Sequence, residues 1–141
     1  MKKTTEELLQ LLKNSHNYSS YESQYREELQ QEIPLASYFS DLILKKQLSK
    51  SLIIQRSGLD RGYAYDIFAG KKRPVRDKVL ALCFGASLST DETQELLRLT
   101  GYPTLYARLA RDNVILFSLS HKLSVIDANI LLEEMGMDIL I

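Results

Sequence analysis

The sequence has few of the residues that stabilise small proteins through covalent or metal cross-links. It contains one cysteine, Cys83, and two histidines in 141 residues. A single cysteine excludes a disulfide framework and fits a reducing compartment, so a cytoplasmic protein is expected. A four-ligand zinc site would need carboxylates in place of the missing histidines and cysteines. The composition therefore predicts no metal and no cofactor.

Long apolar runs and catalytic motifs are also missing. No stretch approaches the roughly 18–20 consecutive apolar residues of a membrane span, so no membrane contact is expected. The sequence has no Gly-rich phosphate loop, no GxSxG turn and no HExxH pair. Cys83 lies in the apolar run VLALCFGA, where a thiol is usually an inert core residue, and His16 and His121 lie in polar segments. These features predict that the protein is not an enzyme.

The charge is balanced in total but uneven along the chain. The sequence has 18 basic and 18 acidic residues, yet residues 35–78 contain ten Lys or Arg against four Asp, a net charge of +6. The flanking segments 1–34 and 79–141 carry −2 and −4. Such a basic segment favours binding to a polyanion, with an ordinary solvated basic surface as the alternative.

Apolar spacing and capping residues predict helices nearly throughout, and no stretch alternates long enough for a strand. Thr4 and Glu7 form a candidate capping box for a first helix. The Ser- and Tyr-rich residues 14–25 are expected to be a mobile linker. After Pro34, apolar residues follow helical spacing, at Leu35, Tyr38, Phe39, Leu42 and Ile43.

Two short helices are predicted inside the basic segment. Ser49 can cap the first, and Gly58 can end it in a left-handed conformation. Asp60 can cap the second, which ends near Gly70 and is followed by a basic turn. Two short helices joined by a glycine turn form a helix-turn-helix.

The C-terminal part contains an internal repeat of 35 residues. The segment that begins at Arg76 aligns with the segment that begins at Arg111, with eight of 26 positions identical. Each copy begins with Arg-Asp, passes through a Leu-Ser turn and ends at a glycine. The repeat predicts two stacked helical hairpins, with chance similarity between amphipathic helices as the alternative.

The stretch LSKSLIIQRSGLDRGYAYDIFAGKKRP, Leu48–Pro74, closely resembles the DNA-binding core of the phage-repressor-like regulators of the Cro and XRE type. The resemblance covers roughly residues 33–88. It implies an all-α, lambda-repressor-like helix-turn-helix bundle followed by helical hairpins. The expected regions are 1–32, an N-terminal helix and linker; 33–88, the DNA-binding domain; and 89–141, a helical extension for assembly.

The resemblance also implies a DNA interface, with a recognition helix at about 61–69 in the major groove. The base-reading residues expected from it are Lys50, Arg61, Tyr65 and Asp66. The expected phosphate contacts are Ser49, Tyr63, Lys71, Lys72 and Arg73. Independently, an arginine at the start of a helix can present a bidentate fork to guanine, and tyrosine hydroxyls can reach phosphate oxygens.

Two residues depart from the family pattern. Gly62 leaves an empty base-reading position, and Asp66 places a carboxylate near phosphates. An alternative for Asp66 is a surface ion pair with Arg61 or Lys50. The alternative function is a protein-interaction or antitoxin-like helical module with weak or lost DNA binding.

The expected partners are double-stranded DNA, a second copy of the chain, and a protein that contacts the acidic C-terminal helices. A homodimer is expected because one recognition helix reads only a few base pairs. Four of the last five residues are apolar, so the C-terminus is expected to dock on its own helices or, as favoured here, across a two-fold axis.

Overall fold

The computed structural model describes residues 3–141, and every regular element in that range is helical. The α-helices are α1 (Thr5–Lys13), α2 (Tyr18–Tyr25), α3 (Leu35–Lys46), α4 (Lys50–Ser57), α5 (Arg61–Phe68), α6 (Arg76–Gly85), α7 (Thr90–Leu99), α8 (Ala110–Ser120) and α9 (Val125–Glu134). A 3-10 turn, Arg26–Glu28, follows α2. The described chain contains no β-strand, so the predicted all-α fold class is confirmed. None of the described helices combines the length and apolar character needed to cross a bilayer.

The chain separates into two compact units, Met1–Gln31 and Glu32–Ile141. The first contains α1, α2 and the 3-10 turn. The second contains α3 to α9 around one hydrophobic core, which extends along the sequence from Leu35 to Leu140. The regions 33–88 and 89–141 expected from the sequence therefore belong to the same unit.

In the first unit, α1 begins at the capping box predicted from the sequence. The Thr4 side chain accepts a hydrogen bond from the Glu7 N–H at 3.1 Å, and the Thr4 N–H donates to the Glu7 carboxylate at 3.4 Å. These two bonds satisfy N–H groups that a free helix end would leave without partners.

The linker expected at residues 14–25 is instead largely the helix α2, and that prediction is wrong. The Asn17 side chain caps the helix by accepting from the Ser20 N–H at 3.0 Å. Tyr21 is buried, its ring centroid lies 5.0 Å from that of Tyr25, and its hydroxyl donates to the Leu8 carbonyl. Tertiary contacts of the tyrosines thus order a segment whose composition suggested a loop.

In the second unit, α4 crosses α6 with the two backbones almost in contact. An added Cβ at Gly85 would lie 2.3 Å from the Ile53 carbonyl oxygen. Only glycine permits this approach, because any side chain would meet backbone atoms that cannot move aside. The contact fixes α4 against the most buried helix of the molecule, since every residue from Val79 to Gly85 is buried.

The 35-residue repeat corresponds to two helical hairpins, α6–α7 and α8–α9. Ser87 and Lys122 occupy equivalent turn positions and have almost the same left-handed φ, 54° and 55°. Ser89 and Ser124 then cap the second helix of each hairpin. Left-handed backbone is uncommon outside glycine, so its recurrence at equivalent residues supports a true repeat.

Crossed ion pairs join the two hairpins. Arg76 of the first hairpin binds Asp112 of the second at 2.6 Å, and Arg111 of the second binds Asp77 of the first at 2.9 Å. Asp112 is buried and also accepts from the Tyr106 N–H at 2.9 Å. The Asp77 carboxylate holds the pKa of Arg111 above its usual value. Each copy of the repeat therefore supplies one cation and one anion to the other.

The C-terminal residues pack against the second unit itself. Leu140 is buried, and its N–H donates to the Asn129 side chain at 2.8 Å. The Arg111 guanidinium also binds the Asp138 carbonyl at 3.0 Å. The tail thus packs on its own helices, which is one of the two modes of docking expected from the sequence, while the favoured two-fold interface stays a prediction. Asn129 and Arg111 account for this, since they fix the backbone of the tail.

Candidate nucleic-acid interface

The turn between α4 and α5 is held by buried polar and apolar contacts. The Ser57 hydroxyl is buried, donates to the Ile54 carbonyl at 2.6 Å and accepts from the Leu59 N–H at 3.2 Å. Gly58 follows with φ +74°, the left-handed conformation expected from the sequence. Asp60 then caps α5 by accepting from the Tyr63 N–H at 3.0 Å. This sequence of bonds sets the angle at which α5 leaves the turn.

The inner face of α5 anchors the helix and leaves its other face free. Ala64, Ile67 and Phe68 are buried, and the Phe68 ring meets that of Phe39 edge to face at 5.2 Å. Arg61 and Tyr65 are exposed on the opposite side, one helical turn apart. The Arg61 guanidinium lies 5.6 Å from the Tyr65 ring centroid, so the ring supports the cation without neutralising it.

An open cleft of about 310 Å³ lies between α4 and the outer face of α5. Arg61 and Tyr65 line it from α5, and Ser51 and Gln55 line it from α4. Ser51 and Gln55 are not among the interface residues expected from the sequence. Their spacing of four residues on α4, both exposed, is the signal that places them on one face.

Gly62 and Asp66, which depart from the family pattern, differ in their surroundings. A Cβ at Gly62 would meet only the Asp60 carboxylate, at 3.5 Å, so this part of α5 has room for a ligand. Asp66 is half-buried, and the structure contains no ion pair between it and Arg61 or Lys50. The ion-pair interpretation is therefore wrong: both cations lie against aromatic rings instead.

Lys50 and Ser49 lie at the N-terminal end of α4. The Lys50 ammonium is 5.6 Å from the Phe68 ring centroid, and the residue is exposed. The Ser49 hydroxyl accepts from the Leu52 N–H at 3.2 Å and caps the helix. Its oxygen thus has a structural role in addition to the phosphate contact expected from the resemblance.

The basic turn after α5 contains two kinds of cation. Lys71 and Lys72 are exposed, and neither makes an ion pair with a described residue. Arg73 instead lies 4.4 Å from the Tyr102 ring centroid and 3.5 Å from the Glu32 carboxylate, and donates to the Thr100 carbonyl. Lys71 and Lys72 are free to bind an anion, whereas Arg73 holds the turn against the end of α7.

Two tyrosines, Tyr63 and Tyr102, pack near the basic turn that follows α5. The Tyr63 ring is half-buried and lies 4.5 Å from the Lys78 ammonium. The Tyr102 hydroxyl donates to the Pro74 carbonyl at 2.6 Å. Burial raises the pKa of Tyr102, which keeps this donor protonated. Tyr63, expected to contact phosphate, thus also packs beside a cation of α6.

The arrangement presents cations, amides and hydroxyls but no evident metal ligands. Within residues 3–141, no three His, Cys, Asp or Glu side chains are placed to hold a metal ion. The exposed polar side chains on α4, α5 and the basic turn are hydrogen-bond donors and cations, and Asp66, the one carboxylate within α5, is half-buried. Such a surface is suited to binding phosphate oxygens and base edges. Comparisons of the chain with protein-family models, curated proteins and solved structures find no match.

Proposed function

We propose that the chain is a sequence-specific DNA-binding regulator that places α5 in the major groove. The observation that carries this proposal is the exposed pair Arg61 and Tyr65 on a helix whose opposite face is anchored in the core. A helix of eight residues is about 12 Å long, which suits a major groove of similar width. Its N-terminal residues reach the base edges in this kind of docking, and Arg61 is the first residue of α5.

The charges around α5 support the same function. Lys50 lies at the start of α4, and Lys71 and Lys72 follow α5, so free cations flank the reading helix along the chain. Lysine ammonium groups in such positions neutralise phosphates regardless of sequence and make the affinity depend on salt. Arg61, in contrast, can form two hydrogen bonds to guanine O6 and N7. Arg61 would therefore specify the DNA sequence, and the lysines would position the protein on the duplex.

The experiment compares duplex binding by fluorescence anisotropy at several salt concentrations, after selection of a preferred site from random duplexes. Arg61→Ala is expected to cost about 1–3 kcal/mol on the preferred site and little on random DNA. The double variant Lys71→Ala, Lys72→Ala is expected to weaken both and to reduce the salt slope by up to about one per lost phosphate contact.

The matched control is Arg108→Ala. Arg108 is exposed in the connection between α7 and α8, outside the helix-turn-helix, so its removal changes the net charge by the same amount as Arg61→Ala and should leave binding unchanged. If the wild-type protein shows no salt-dependent binding to any duplex, the proposal is wrong and the protein-interaction function is favoured. If all three variants lose affinity equally, the interface is not on α5.

A further inference from the structure

A second cleft, of about 450 Å³, lies where the end of α4 meets the two turns of the repeat. Gln55, Arg56 and Gly58 line it from α4 and the residue that follows, Ser87 lines it from the α6–α7 turn, and Lys122 lines it from the α8–α9 turn. Three separate parts of the second unit thus form this repeat cleft. Its volume is within the range of small-molecule binding sites.

Much of the lining of the repeat cleft is apolar. Phe84 and Val125 are buried, Leu123 is half-buried, and Ile126 is 69 % exposed. The first hairpin carries Asp91 at the position equivalent to Ile126, so the hairpin itself does not require an apolar residue there. A hydrocarbon group bound in the cleft would remove part of the Ile126 side chain from water.

The charged side chains that line the repeat cleft are both cations. Arg56 is exposed and makes no ion pair with a described residue. The Lys122 ammonium donates to the Ser87 carbonyl at 3.2 Å, which holds it at the wall of the cleft and leaves its other N–H groups free. Ser124 adds the positive N-terminal end of α9, and Asp127 in the first turn of that helix is not part of the lining. The lining therefore combines apolar surface with positive charge only.

We propose that the repeat cleft binds a small organic carboxylate with an apolar body, and that this binding weakens the binding of DNA. The carboxylate accepts hydrogen bonds from Arg56 and Lys122, and the hydrocarbon part covers Phe84, Val125 and Ile126. An inorganic phosphate would leave the apolar lining in water. An uncharged hydrocarbon would take the cations out of water without neutralising them.

The repeat cleft is joined to the proposed DNA interface through the end of α4. Gln55 and Gly58 line both this cleft and the cleft between α4 and α5. A Cβ at Gly58 would lie 3.7 Å from the Val125 side chain and 2.9 Å from that of Ile141, so the turn before α5 packs directly against α9 and the tail. A bound carboxylate adds a negative charge beside this turn, which opposes the approach of phosphates. The effect on DNA rests on the proposed function, whereas carboxylate binding does not.

The first experiment titrates the full chain with octanoate and follows backbone amide shifts by NMR. We expect saturable shifts at residues of the repeat cleft, with a dissociation constant of about 1 mM or below. 1-Octanol, which has the same chain length without the charge, should bind at least about tenfold more weakly. Acetate and inorganic phosphate should give no saturable shifts in the cleft. Phosphate binding as tight as that of octanoate would overturn the proposal.

Three variants test the two parts of the site. Arg56→Gln and Lys122→Gln should each weaken octanoate binding by about tenfold, because each removes a charge-assisted hydrogen bond. Glutamine can adopt the left-handed conformation of Lys122, since Gln47 has a φ of 54° in the same structure. Ile126→Asp, which introduces the residue of the first hairpin, should weaken binding by at least as much, through repulsion of the carboxylate and loss of apolar contact.

Two matched controls lie outside the repeat cleft. Arg108→Gln removes an exposed arginine of the α7–α8 connection, and Ile130→Asp changes an exposed isoleucine one helical turn beyond Ile126 on α9. Both should bind octanoate as the wild type does, with the same helical circular dichroism signal. The proposal is overturned if the wild type shows no saturable octanoate binding, or if Arg56→Gln and its control Arg108→Gln have the same effect.

The second experiment measures duplex binding by fluorescence anisotropy with and without octanoate. Octanoate at several times its dissociation constant should lower the affinity of the wild type for its preferred duplex by about threefold or more, and should have much less effect on Arg56→Gln. An unchanged affinity would refute the regulation. Octanoate binding by a protein that binds no duplex would refute the proposed function and leave the site, and salt-dependent duplex binding without octanoate binding would refute the site alone.

Discussion

Gly85 is the residue at which packing leaves the least room. Its position on α6, against the Ile53 carbonyl, is what allows α4 to lie so close that the helix-turn-helix is rigidly attached to the hairpins. Gly62, in the other short helix of the motif, has open space around its missing side chain. Close packing therefore requires glycine at position 85 but not at position 62, although both residues belong to helices.

We expect Gly85→Ala to destabilise the protein by about 1–3 kcal/mol or more, because the new methyl group must displace the backbone of α4. Gly62→Ala should instead stabilise it by about 0.5–1 kcal/mol, since alanine has the higher helix propensity and meets no close neighbour. The free energy of unfolding in urea measures both. Equal and small effects would show that α4 does not approach α6 this closely.

Cys83 makes stability depend on pH at the alkaline end. Burial raises the pKa of its thiol to about 12. Below the ordinary thiol pKa both the folded and the unfolded chain hold the proton. Above it the unfolded chain loses the proton first, so the contribution of the neutral thiol to stability declines as the pH rises towards about 12.

Comparison with Cys83→Ala isolates this effect from the other groups that titrate there. The difference in unfolding free energy between the wild type and the variant should narrow by about 1 kcal/mol between about pH 9 and pH 10. Urea titrations at both pH values measure the difference. A constant difference would mean that solvent reaches the thiol.

Among the contacts between helices, the two crossed ion pairs join equivalent residues of the repeat but differ in burial. The Asp112 side chain is 4 % exposed and the Asp77 side chain is 33 % exposed. Removing one partner of a buried pair leaves an uncompensated charge in the protein, whereas an exposed pair contributes little.

We therefore expect Asp112→Ala to cost about 3–5 kcal/mol and Asp77→Ala about 1 kcal/mol or less. The unfolding free energies of the two variants, measured under the same conditions, form their own control. Similar losses would indicate that burial does not distinguish the two halves of the repeat.

Local signals were enough to predict most of the elements. Thr4, Ser49 and Asp60 cap helices as expected, and Gly58 takes the left-handed conformation. These features depend on neighbouring residues alone, so the sequence contains them. The helix α2 depends on ring packing around Tyr21, which local composition does not reveal.

In the candidate interface, too, some features follow from the local sequence and others depend on contacts between distant residues. The exposure of Arg61 and Tyr65 follows from helical periodicity, and it agrees with the sequence. The attachment of Arg73 to Glu32 and Tyr102 joins residues 41 and 29 positions apart, and no local pattern predicts it. Whether any of these residues touches DNA stays a prediction.

At the scale of the whole molecule, the C-terminal tail belongs to the core of the second unit. Leu140 is 3 % exposed, while the neighbouring Ile139 is 42 % exposed. Burial of a leucine and the hydrogen bond to Asn129 both stabilise the folded chain.

Truncation after Gly136 should lower the free energy of unfolding by about 2–5 kcal/mol, since it removes Leu140 from the core. Ile139→Ala, an exposed neighbour, should change it by less than about 1 kcal/mol. Equal losses for the truncation and for Ile139→Ala would show that Leu140 contributes no more to the core than its exposed neighbour.

The crossed Arg–Asp pairs have a consequence for the symmetry of the chain. The arginine of each hairpin binds the aspartate of the other, so the two ion pairs are related by exchange of the hairpins. Reciprocal contacts of this kind join identical subunits across a two-fold axis. A hairpin that begins with Arg-Asp carries both halves of this contact, so two identical hairpins would close the same pair of bonds. Duplication and fusion of a self-pairing hairpin would produce this arrangement. The second unit thus holds, within one polypeptide, a contact with the symmetry of a dimer.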